Sequence, residues 1–318
     1  MFTNYQYFLA LAEECNISKA ADKCFITHQN MSKFLSNLEK EYGVRLFERK
    51  PVFSLTPAGK LMYHTLRQIE LSEKNLRDQY QDMRDDKSGE ILFGTTEGRF
   101  RILVPDILSK FKAAFPEVRL RVVSAASPDL RKMVLNNQLD FMVAGVPEKI
   151  PHSLTFTEVL QERLYLVISD QMLAEYLPQL YPQCKEELQA GADLRLFQKV
   201  PFALNLPDYN SSKLLEHHLH ELGLTLNCIH TSSHPDLHHL MSARDYAASF
   251  CLTMYLPEVL KLNREIGNKL NIFPILGLTQ TNPVAISYAS NRVFSRSGKA
   301  FLSMLRQQCR HFAEYDLK

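Results

Sequence analysis

Long apolar runs and a strong net charge are both missing from this 318-residue sequence. No apolar run approaches the roughly 18 residues that a membrane-spanning helix needs. The formal net charge is +2, which excludes a basic tail or an acidic solvating segment, although a small basic module could be diluted by a larger neutral one. The sequence starts without a basic region or a cleavage signature, so we expect no signal peptide and a cytoplasmic protein.

Paired cysteines are missing as well, since none of the six cysteines stands in a C-x-x-C arrangement. In a cytosolic chain of this size we expect reduced, partly buried thiols. A redox switch through Cys184 and Cys228 or Cys251 is an alternative, but nothing in the sequence indicates a thiol of lowered pKa.

The patterns of common enzymes are also absent. The sequence has no phosphate loop, no H-E-x-x-H and no catalytic-triad pattern, and Gly98 alone is not a dinucleotide fingerprint. We therefore expect neither enzymatic activity nor a cofactor.

Three short helices are predicted in the first 60 residues. Apolar residues at helical spacing indicate the first helix. Ser18 is expected to cap the second, at 19–23, and Thr27 the third, which should end at Tyr42 before Gly43. Two extended runs follow on either side of Arg49-Lys50-Pro51 and predict a small hairpin. This order of elements is typical of a winged helix–turn–helix.

The third helix, THQNMSKFLSNLE, has an unusual polar face. Surface helices usually carry long charged side chains, whereas this face carries amides, hydroxyls and an imidazole. Short polar groups suit the reading of base edges in the major groove, while lysine and arginine hold phosphates. The candidate DNA-binding residues are Ser18, Thr27, His28, Gln29, Asn30, Ser32, Lys33, Arg49 and Lys50. Phe34 could touch a thymine methyl, but its place near the apolar stripe favours a core position.

A long helix is predicted from Thr56-Pro57, a cap followed by proline at the first helical position, to about Arg84. Apolar residues recur along it at intervals of four and three, with Glu73 as the one charged interruption. This spacing favours a dimerising coiled coil over a helix packed only on its own domain. The candidate dimerisation residues are Leu66, Ile69, Leu76, Tyr80 and Met83.

A charged break at 85–89 separates this helix from a region in which strands and helices alternate. The βαβαβ order at its start implies a doubly wound parallel sheet, and its length suits two lobes with a cleft between them. We therefore expect a DNA-binding domain at 1–60, a linker helix at 58–86 and an effector domain at 89–318.

Several stretches of the sequence resemble the LysR-type transcriptional regulators, a bacterial family. They are FLALAEECNISKAADKCFIT, SKFLSNLEKEYGVRLFER and LTPAGK, and more weakly GEILFGTT, NNQLDFMVAG and ASNRVFSRSGKAFLSML. The resemblance implies a winged helix–turn–helix, a long linker helix and a two-lobed α/β effector domain like that of periplasmic binding proteins. It also implies operator DNA, a small effector and self-association, usually to a homotetramer, as partners.

The sequence departs from the family pattern at informative places. Thr27-His28-Gln29-Asn30 replaces the usual Ser-Gln-Pro-Ala at the start of the recognition helix. Asp245 and Ala247 stand where the family often has glycines before a buried strand. The operator and the shape of this loop therefore cannot be copied from relatives.

The expected effector site lies beyond the carboxyl ends of the strands, where helix N-termini point. Its candidate residues are Thr95, Thr96, Arg99, Ser127, Asn205 and Phe250. Alignment to the family matches Thr96 and Ser127 to pocket positions, although both could simply cap helices. Two helix N-termini and Arg99 favour a small anionic effector, whereas Glu97 argues against one.

Two alternatives belong to other classes. Seven histidines between His217 and His239, with Cys228, could form a metal site, but Pro235 should leave His234 outside the helix that carries His238. The C-terminal half alone would fit a small-molecule-binding protein, but such a protein would not carry the helix–turn–helix.

Overall fold

The computed structural model describes residues 4–50, 52–84, 88–267 and 269–315. The chain forms two compact units: the first runs to Arg84 and includes Asn291–Val293, and the second contains the remaining residues. Within the described residues, every helix is too short or too polar to serve as a membrane span.

Among its described residues, the first unit contains four helices and a two-stranded hairpin. Its elements are α1 (Tyr5–Glu14), α2 (Ile17–Lys23), α3 (His28–Tyr42), β1 (Phe47–Glu48), β2 (Ser54–Leu55) and α4 (Pro57–Met83). Thr27 caps α3 and Gly43 ends it with φ +66°, as the sequence indicates. The predicted cap of α2 is wrong: Asn16, not Ser18, accepts a hydrogen bond from the backbone N–H of Lys19, at 3.0 Å.

The core of the first unit joins its helices to the hairpin. Phe8, Met31 and Phe47 are fully buried in it. Ala20 and Ala21, on the inner face of α2, are also buried, and their small side chains let neighbouring helices approach closely.

The apolar seam of α4 has two parts. Leu66 is buried in the core of the first unit, and Ile69 packs against that core. Within the protomer these two residues therefore match the alternative prediction, a helix packed on its own domain. Leu76, Tyr80 and Met83 are exposed. The charged interruption, Glu73, accepts a hydrogen bond of 2.8 Å from the Tyr5 hydroxyl.

The second unit has two lobes built on sheets. Its strands are β3 (Gly89–Thr95), β4 (Val118–Ser124), β5 (Phe141–Gly145), β6 (Leu154–Glu162), β7 (Leu164–Ser169), β8 (Pro201–Asn205), β9 (Asn227–Ser232), β10 (Ser249–Leu252), β11 (Leu270–Pro274) and β12 (Asn282–Ala289). Its helices are α5 (Glu97–Ala114), α6 (Ser127–Leu135), α7 (Asp170–Tyr176), α8 (Cys184–Ala190), α9 (Asn210–Leu222), α10 (Pro235–Ala243), α11 (Leu256–Glu265) and α12 (Arg296–His311).

The sheets are mixed rather than wholly parallel, which corrects the prediction from the βαβαβ pattern. The first lobe has strand order β4-β3-β5-β12-β6, in which β3 runs parallel to β4 and β5, while β12 runs antiparallel to β5 and β6. The second lobe combines an antiparallel sheet, β10-β7-β11, with the parallel pair β8-β9. The order of β3, α5, β4, α6 and β5 could not reveal this, because β12 joins their sheet from the far end of the chain.

Two connections pass between the lobes. Strand β6 of the first lobe leads through Arg163 into β7 of the second, and β11 of the second lobe is followed by β12 of the first. The residues at these crossings, Glu162 and Asn282 among them, therefore lie where the two lobes meet, and both are buried.

Candidate DNA-binding surface and effector cleft

The recognition helix α3 presents its first turn to solvent. The Thr27 hydroxyl accepts a hydrogen bond of 3.2 Å from the backbone N–H of Asn30, which fixes the start of the helix. His28, Gln29 and Asn30 are exposed, whereas Met31 and Leu35 are buried on the opposite face. The helix is therefore anchored by its apolar stripe with its short polar side chains free to meet a ligand.

Glu39 ties α3 to the hairpin, which the sequence did not indicate. Its carboxylate accepts hydrogen bonds from the backbone N–H groups of Leu46, at 2.8 Å, and Phe47, at 3.2 Å. The other oxygen lies 3.3 Å from the Arg49 guanidinium. An acidic residue on a helix resembles an ordinary solvated residue in sequence, and only the fold brings it to the hairpin.

The remaining candidates of the first unit lie on its surface to different degrees. Ser18, Lys33 and Lys50 are exposed, and Ser32 is half-buried. Phe34 is half-buried, packs against the core and meets Tyr7 edge to face, with ring centroids 5.5 Å apart. The core interpretation of Phe34 is therefore the better one.

The start of α5 lies at the end of strand β3. Thr96 is the cap residue, yet its side chain makes no capping bond and instead accepts a hydrogen bond of 3.3 Å from Arg99. Ser127 is the first residue of α6, and Ala126 holds the cap position, so the predicted cap at Ser127 is wrong.

Arg99 lies in a buried ion pair rather than facing solvent. Its guanidinium is 2.5 Å from Glu162, and the Asn282 amide donates to the same carboxylate oxygen at 2.7 Å. Burial acts to lower the pKa of Arg99, but the Glu162 carboxylate more than reverses this, so the guanidinium stays charged. Its charge is already matched within the protein.

The same group of residues reaches the second lobe. Asn210, the first residue of α9, donates from its amide to Asn282 at 3.2 Å. Gly145, at the end of β5, leaves room for this contact, because a Cβ there would collide with the Asn210 amide. The chain from Arg99 through Glu162 and Asn282 therefore links α5 of the first lobe to α9 of the second.

Two further contacts hold the starts of the helices together. Arg101 of α5 forms an ion pair with Asp236 of α10 and lies 3.7 Å from Glu97. The Tyr209 hydroxyl, at the cap position of α9, donates to the backbone carbonyl of Ser233 just before α10. The first turns of α5, α9 and α10 thus meet between the lobes.

Two of the predicted effector residues have structural roles instead. Thr95 is fully buried, and its hydroxyl donates to the carbonyl of Val143 at 3.0 Å, which joins β3 to β5. Phe250 is buried in the core of the second lobe, where its ring stacks on Phe202 with centroids 5.4 Å apart. Both point into packed protein, so we correct these assignments.

Asn205 lies at the end of β8, near the start of α9. Its amide donates to the Ser211 hydroxyl at 3.0 Å. Its amide oxygen is buried and has no hydrogen-bond partner among the residues that the structure describes. Asn205 therefore keeps one acceptor for a further donor.

The histidine-rich region is a folded part of the second lobe. His234 caps α10 with Pro235 in its first turn, so it lies outside the helix that carries His238, as the sequence indicates. Burial lowers the pKa of His239 to about 4. In the described ranges, no three side chains of histidine, cysteine, aspartate or glutamate lie together as a metal site would require.

The thiols named for a redox switch differ in exposure. Cys184 and Cys251 are buried, and burial raises the pKa of each, so both are protonated at neutral pH. Cys228 is exposed on β9. Protonated thiols are weak nucleophiles, so the buried pair is unsuited to rapid oxidation.

Family models match both units of this chain. The model described as "Bacterial regulatory helix-turn-helix protein, lysR family" matches residues 2–60, and the one described as "LysR substrate binding domain" matches residues 84–310. The chain belongs to the LysR family. This LysR-family protein is accordingly a DNA-binding transcriptional regulator with an effector-binding domain, and it is not an enzyme.

Individual relatives agree with this assignment at low sequence identity. The HTH-type transcriptional regulator YtlI of Bacillus subtilis is 23% identical over 91% of this chain and 88% of its own length. A full-length OxyR variant from Pseudomonas aeruginosa has the same fold, with a TM-score of 0.67 and 17% identity over 96% of this chain and 93% of that one.

A second solved structure bears on the partners of the family. Full-length CbnR in complex with its target DNA superimposes on this LysR-family chain with a TM-score of 0.54, 16% identity and coverage of 95% of this chain and 98% of that one. That structure is of a LysR-family regulator bound to its target DNA. The similarity to these structures shows the fold of this regulator. Its operator and its effector have to be inferred from its own residues.

Proposed function

We propose that this LysR-family regulator reads its operator with the first turn of α3 and senses a small anionic effector between the lobes of its second unit. The proposed DNA-binding domain is residues 1–60, the linker helix 58–86 and the effector domain 89–318. The proposed place of action is the cytoplasm, where bacterial promoter DNA lies.

The exposed amides at the start of α3 support the DNA half of the proposal. Gln29 and Asn30 are short, carry both donors and acceptors and sit on a capped, anchored helix. An amide of this kind can pair with two atoms of adenine in the major groove. Lys33, Arg49 and Lys50 supply positive charge for phosphates, which sets position rather than sequence.

Comparing binding to selected and random DNA tests this assignment. Duplexes selected from a random-sequence pool with the unaltered full-length protein serve as specific DNA. Gln29→Ala or Asn30→Ala should cost about 1–3 kcal/mol on these duplexes and relax one base position. Arg49→Ala should weaken selected and random duplexes alike, and Lys40→Ala, in the last turn of α3, is the matched control. Equal losses on both kinds of DNA for the amide variants would refute base reading.

Uncapped helix starts support the effector half of the proposal. Helices α5, α6, α9 and α10 each follow a strand, and in none of the four does the side chain at the cap position bond to the helix amides. Helices α3 and α4, by contrast, are capped by threonines. Free N–H groups at a helix start, together with the helix dipole, favour an anion.

In this proposal Arg99 is a positioning residue and not an effector ligand, which was its role in the sequence-based prediction. Because Glu162 already matches its charge, the helix N–H groups and the hydroxyls of Thr96 and Ser127 are proposed to hold the anionic group, while the free Asn205 oxygen accepts from a donor elsewhere on the effector. Arg99 would then position the start of α5 rather than bind the ligand itself.

An effector placed between the lobes would act on the contacts that join them. Arg101 with Asp236 and Asn210 with Asn282 connect helices of different lobes. A ligand that binds one lobe arrangement more tightly shifts the population toward it. We propose that this shift alters DNA binding by the first unit.

A thermal-shift screen of the full-length protein tests the effector proposal. The probes are small carboxylates and phosphates, each paired with a neutral amide or alcohol of the same shape. We expect at least one anion to raise the Tm while its neutral partner does not, and Asn205→Ala to reduce that shift. Stabilisation by neutral partners as large as that by the anions would overturn the anionic class.

A further inference from the structure

Phe25 occupies the turn between α2 and α3 in an unfavourable conformation. Its φ is +55°, in the left-handed region, and its side chain is 96% exposed. A left-handed backbone is uncommon for residues with a bulky side chain, and small residues such as glycine or asparagine adopt it more readily. Single exposed apolar residues are common on protein surfaces. An exposed phenylalanine whose backbone is also in the left-handed region carries a conformational cost, and such cost is found mainly at functional sites.

The turn presents this ring from a fixed backbone. The N–H of Phe25 donates to the carbonyl of Asp22 at 3.1 Å, and the N–H of Ile26 donates to that of Ala21 at 3.0 Å. Ile26 packs against the core of the first unit, while the Phe25 ring remains in solvent. The conformation is thus held by the turn itself and not by burial of the ring.

The position of the turn indicates what the ring meets. Phe25 is two residues before Thr27, the cap of α3, and the exposed polar residues His28, Gln29 and Asn30 follow at once. The ring therefore continues the surface with which α3 meets DNA. DNA offers apolar surface there in the thymine methyl group of the major groove and in the deoxyribose of its edge.

We propose that Phe25 is a DNA-contacting residue whose ring packs on a thymine methyl or a deoxyribose beside the bases read by α3. The inference rests on the proposed entry of α3 into the major groove. It adds an apolar contact to that polar surface, and with it a local preference that amides and lysines do not provide.

Phe25→Asn is the informative variant, because asparagine suits the left-handed backbone and removes the ring. Using the full-length protein and the selected duplexes, we expect binding to weaken about 5- to 50-fold, the range for losing a buried aromatic contact. The Tm of the free protein should be unchanged or higher. Ile150→Ala, which trims an exposed apolar residue of the second unit, is the control and should leave DNA affinity unchanged.

Replacing each thymine of the selected duplex by deoxyuridine, one at a time, distinguishes the two DNA surfaces. If one replacement weakens the unaltered protein but not Phe25→Asn, the ring meets that thymine methyl. If no replacement does so while Phe25→Asn still binds more weakly, the ring packs on the sugar.

Unchanged affinity of Phe25→Asn would overturn the proposal. Unchanged affinity with lost regulation would assign the ring to a protein partner instead. If the Gln29 and Asn30 variants still relax base preference in that case, only the inference about Phe25 fails and the role of α3 stands.

Discussion

Arg99 shows how burial decides the role of a single residue. From the sequence it is a cation just beyond a strand end, a fair ligand for an anion. The structure encloses it with Glu162, which is 63 residues further along the chain and has no accessible surface. A pairing across that distance depends on where β6 joins the sheet of the first lobe, and no local sequence pattern predicts it.

Removal of Arg99 should destabilise the second unit strongly. Arg99→Ala leaves the Glu162 carboxylate buried without its counter-charge, and breaking such a pair costs about 3–5 kcal/mol. Denaturant unfolding of the full-length protein measures this. Arg101→Ala, which removes an exposed ion pair two residues away, is the control and should cost about 0–1 kcal/mol. Equal losses would mean that the buried pair contributes no more than a surface one.

His239 should make the second unit sensitive to acid. Burial lowers its pKa to about 4, below the ordinary value of 6.5. The unfolded chain takes up this proton as the pH falls through about 6.5, whereas the folded protein resists it until about 4. Its neutral form therefore stabilises the fold above pH 6.5, and roughly 3 kcal/mol is lost on going down to pH 4.

Thermal melting between pH 7 and 4 measures this contribution. The slope of stability with pH should become shallower in His239→Gln than in the unaltered protein. A slope that His239→Gln leaves unaltered would show that other groups cause the acid sensitivity.

At the scale of the element, the start of α4 is predicted correctly from the sequence. Thr56-Pro57 predicts a cap and a first helical residue, and both are confirmed. The Thr56 hydroxyl accepts from the N–H of Gly59 at 3.0 Å and donates to the carbonyl of Arg45 at 2.8 Å. The second bond, to the hairpin region, is tertiary and lies outside what a capping pattern predicts.

Thr56→Ala should therefore cost more than an average surface substitution. Loss of a threonine cap costs about 0.5–2 kcal/mol, and we expect the upper end because the side chain is buried and makes two bonds. Thr65→Ala on the same helix is the matched control, since that exposed hydroxyl only bonds back to Leu61. Circular dichroism during denaturation measures both, and a cost for Thr56→Ala no larger than for Thr65→Ala would contradict the double role.

Strands differ in how clearly the sequence indicates them. Buried apolar runs such as β3, β5 and β7 are visible in sequence, since both faces are covered. β6, which ends in Glu162 at a lobe connection, is harder to recognise, because its polar and apolar residues mix. Its pairing with β12 contains a register shift, so its alternation along the sequence is irregular.

For the whole molecule, the exposed end of α4 bears on self-association. Leu76, Tyr80 and Met83 recur at intervals of four and three on one helix, and all are about half exposed or more. Their burial against a second copy would complete the seam that Leu66 and Ile69 begin inside the first unit. Dimerisation through this face remains a prediction.

Charge on this face should weaken self-association without unfolding the protomer. In the double variant Leu76→Lys with Met83→Lys, both new residues are good helix formers. Each copy of the chain would then bring two positive charges to the proposed dimer seam, where they would repel those of the other copy. Sedimentation of the full-length protein should show a smaller species than the unaltered chain at the same concentration. Leu61→Lys, at an exposed position of α4 off the seam, is the control, and an unchanged mass in the double variant would exclude this face.

The sequence by itself determined the helix–turn–helix, the caps at Thr27 and Thr56, the polar start of α3 and the family, because these depend on neighbours within a few turns of chain. Only the tertiary structure decided the mixed sheets, the burial of Arg99 with Glu162, the tie from Glu39 to the hairpin and the removal of Thr95 and Phe250 from the effector site. Each of these depends on which distant segments share one environment. Burial and pairing across the fold set that environment, and side chains of the same type take different roles in it.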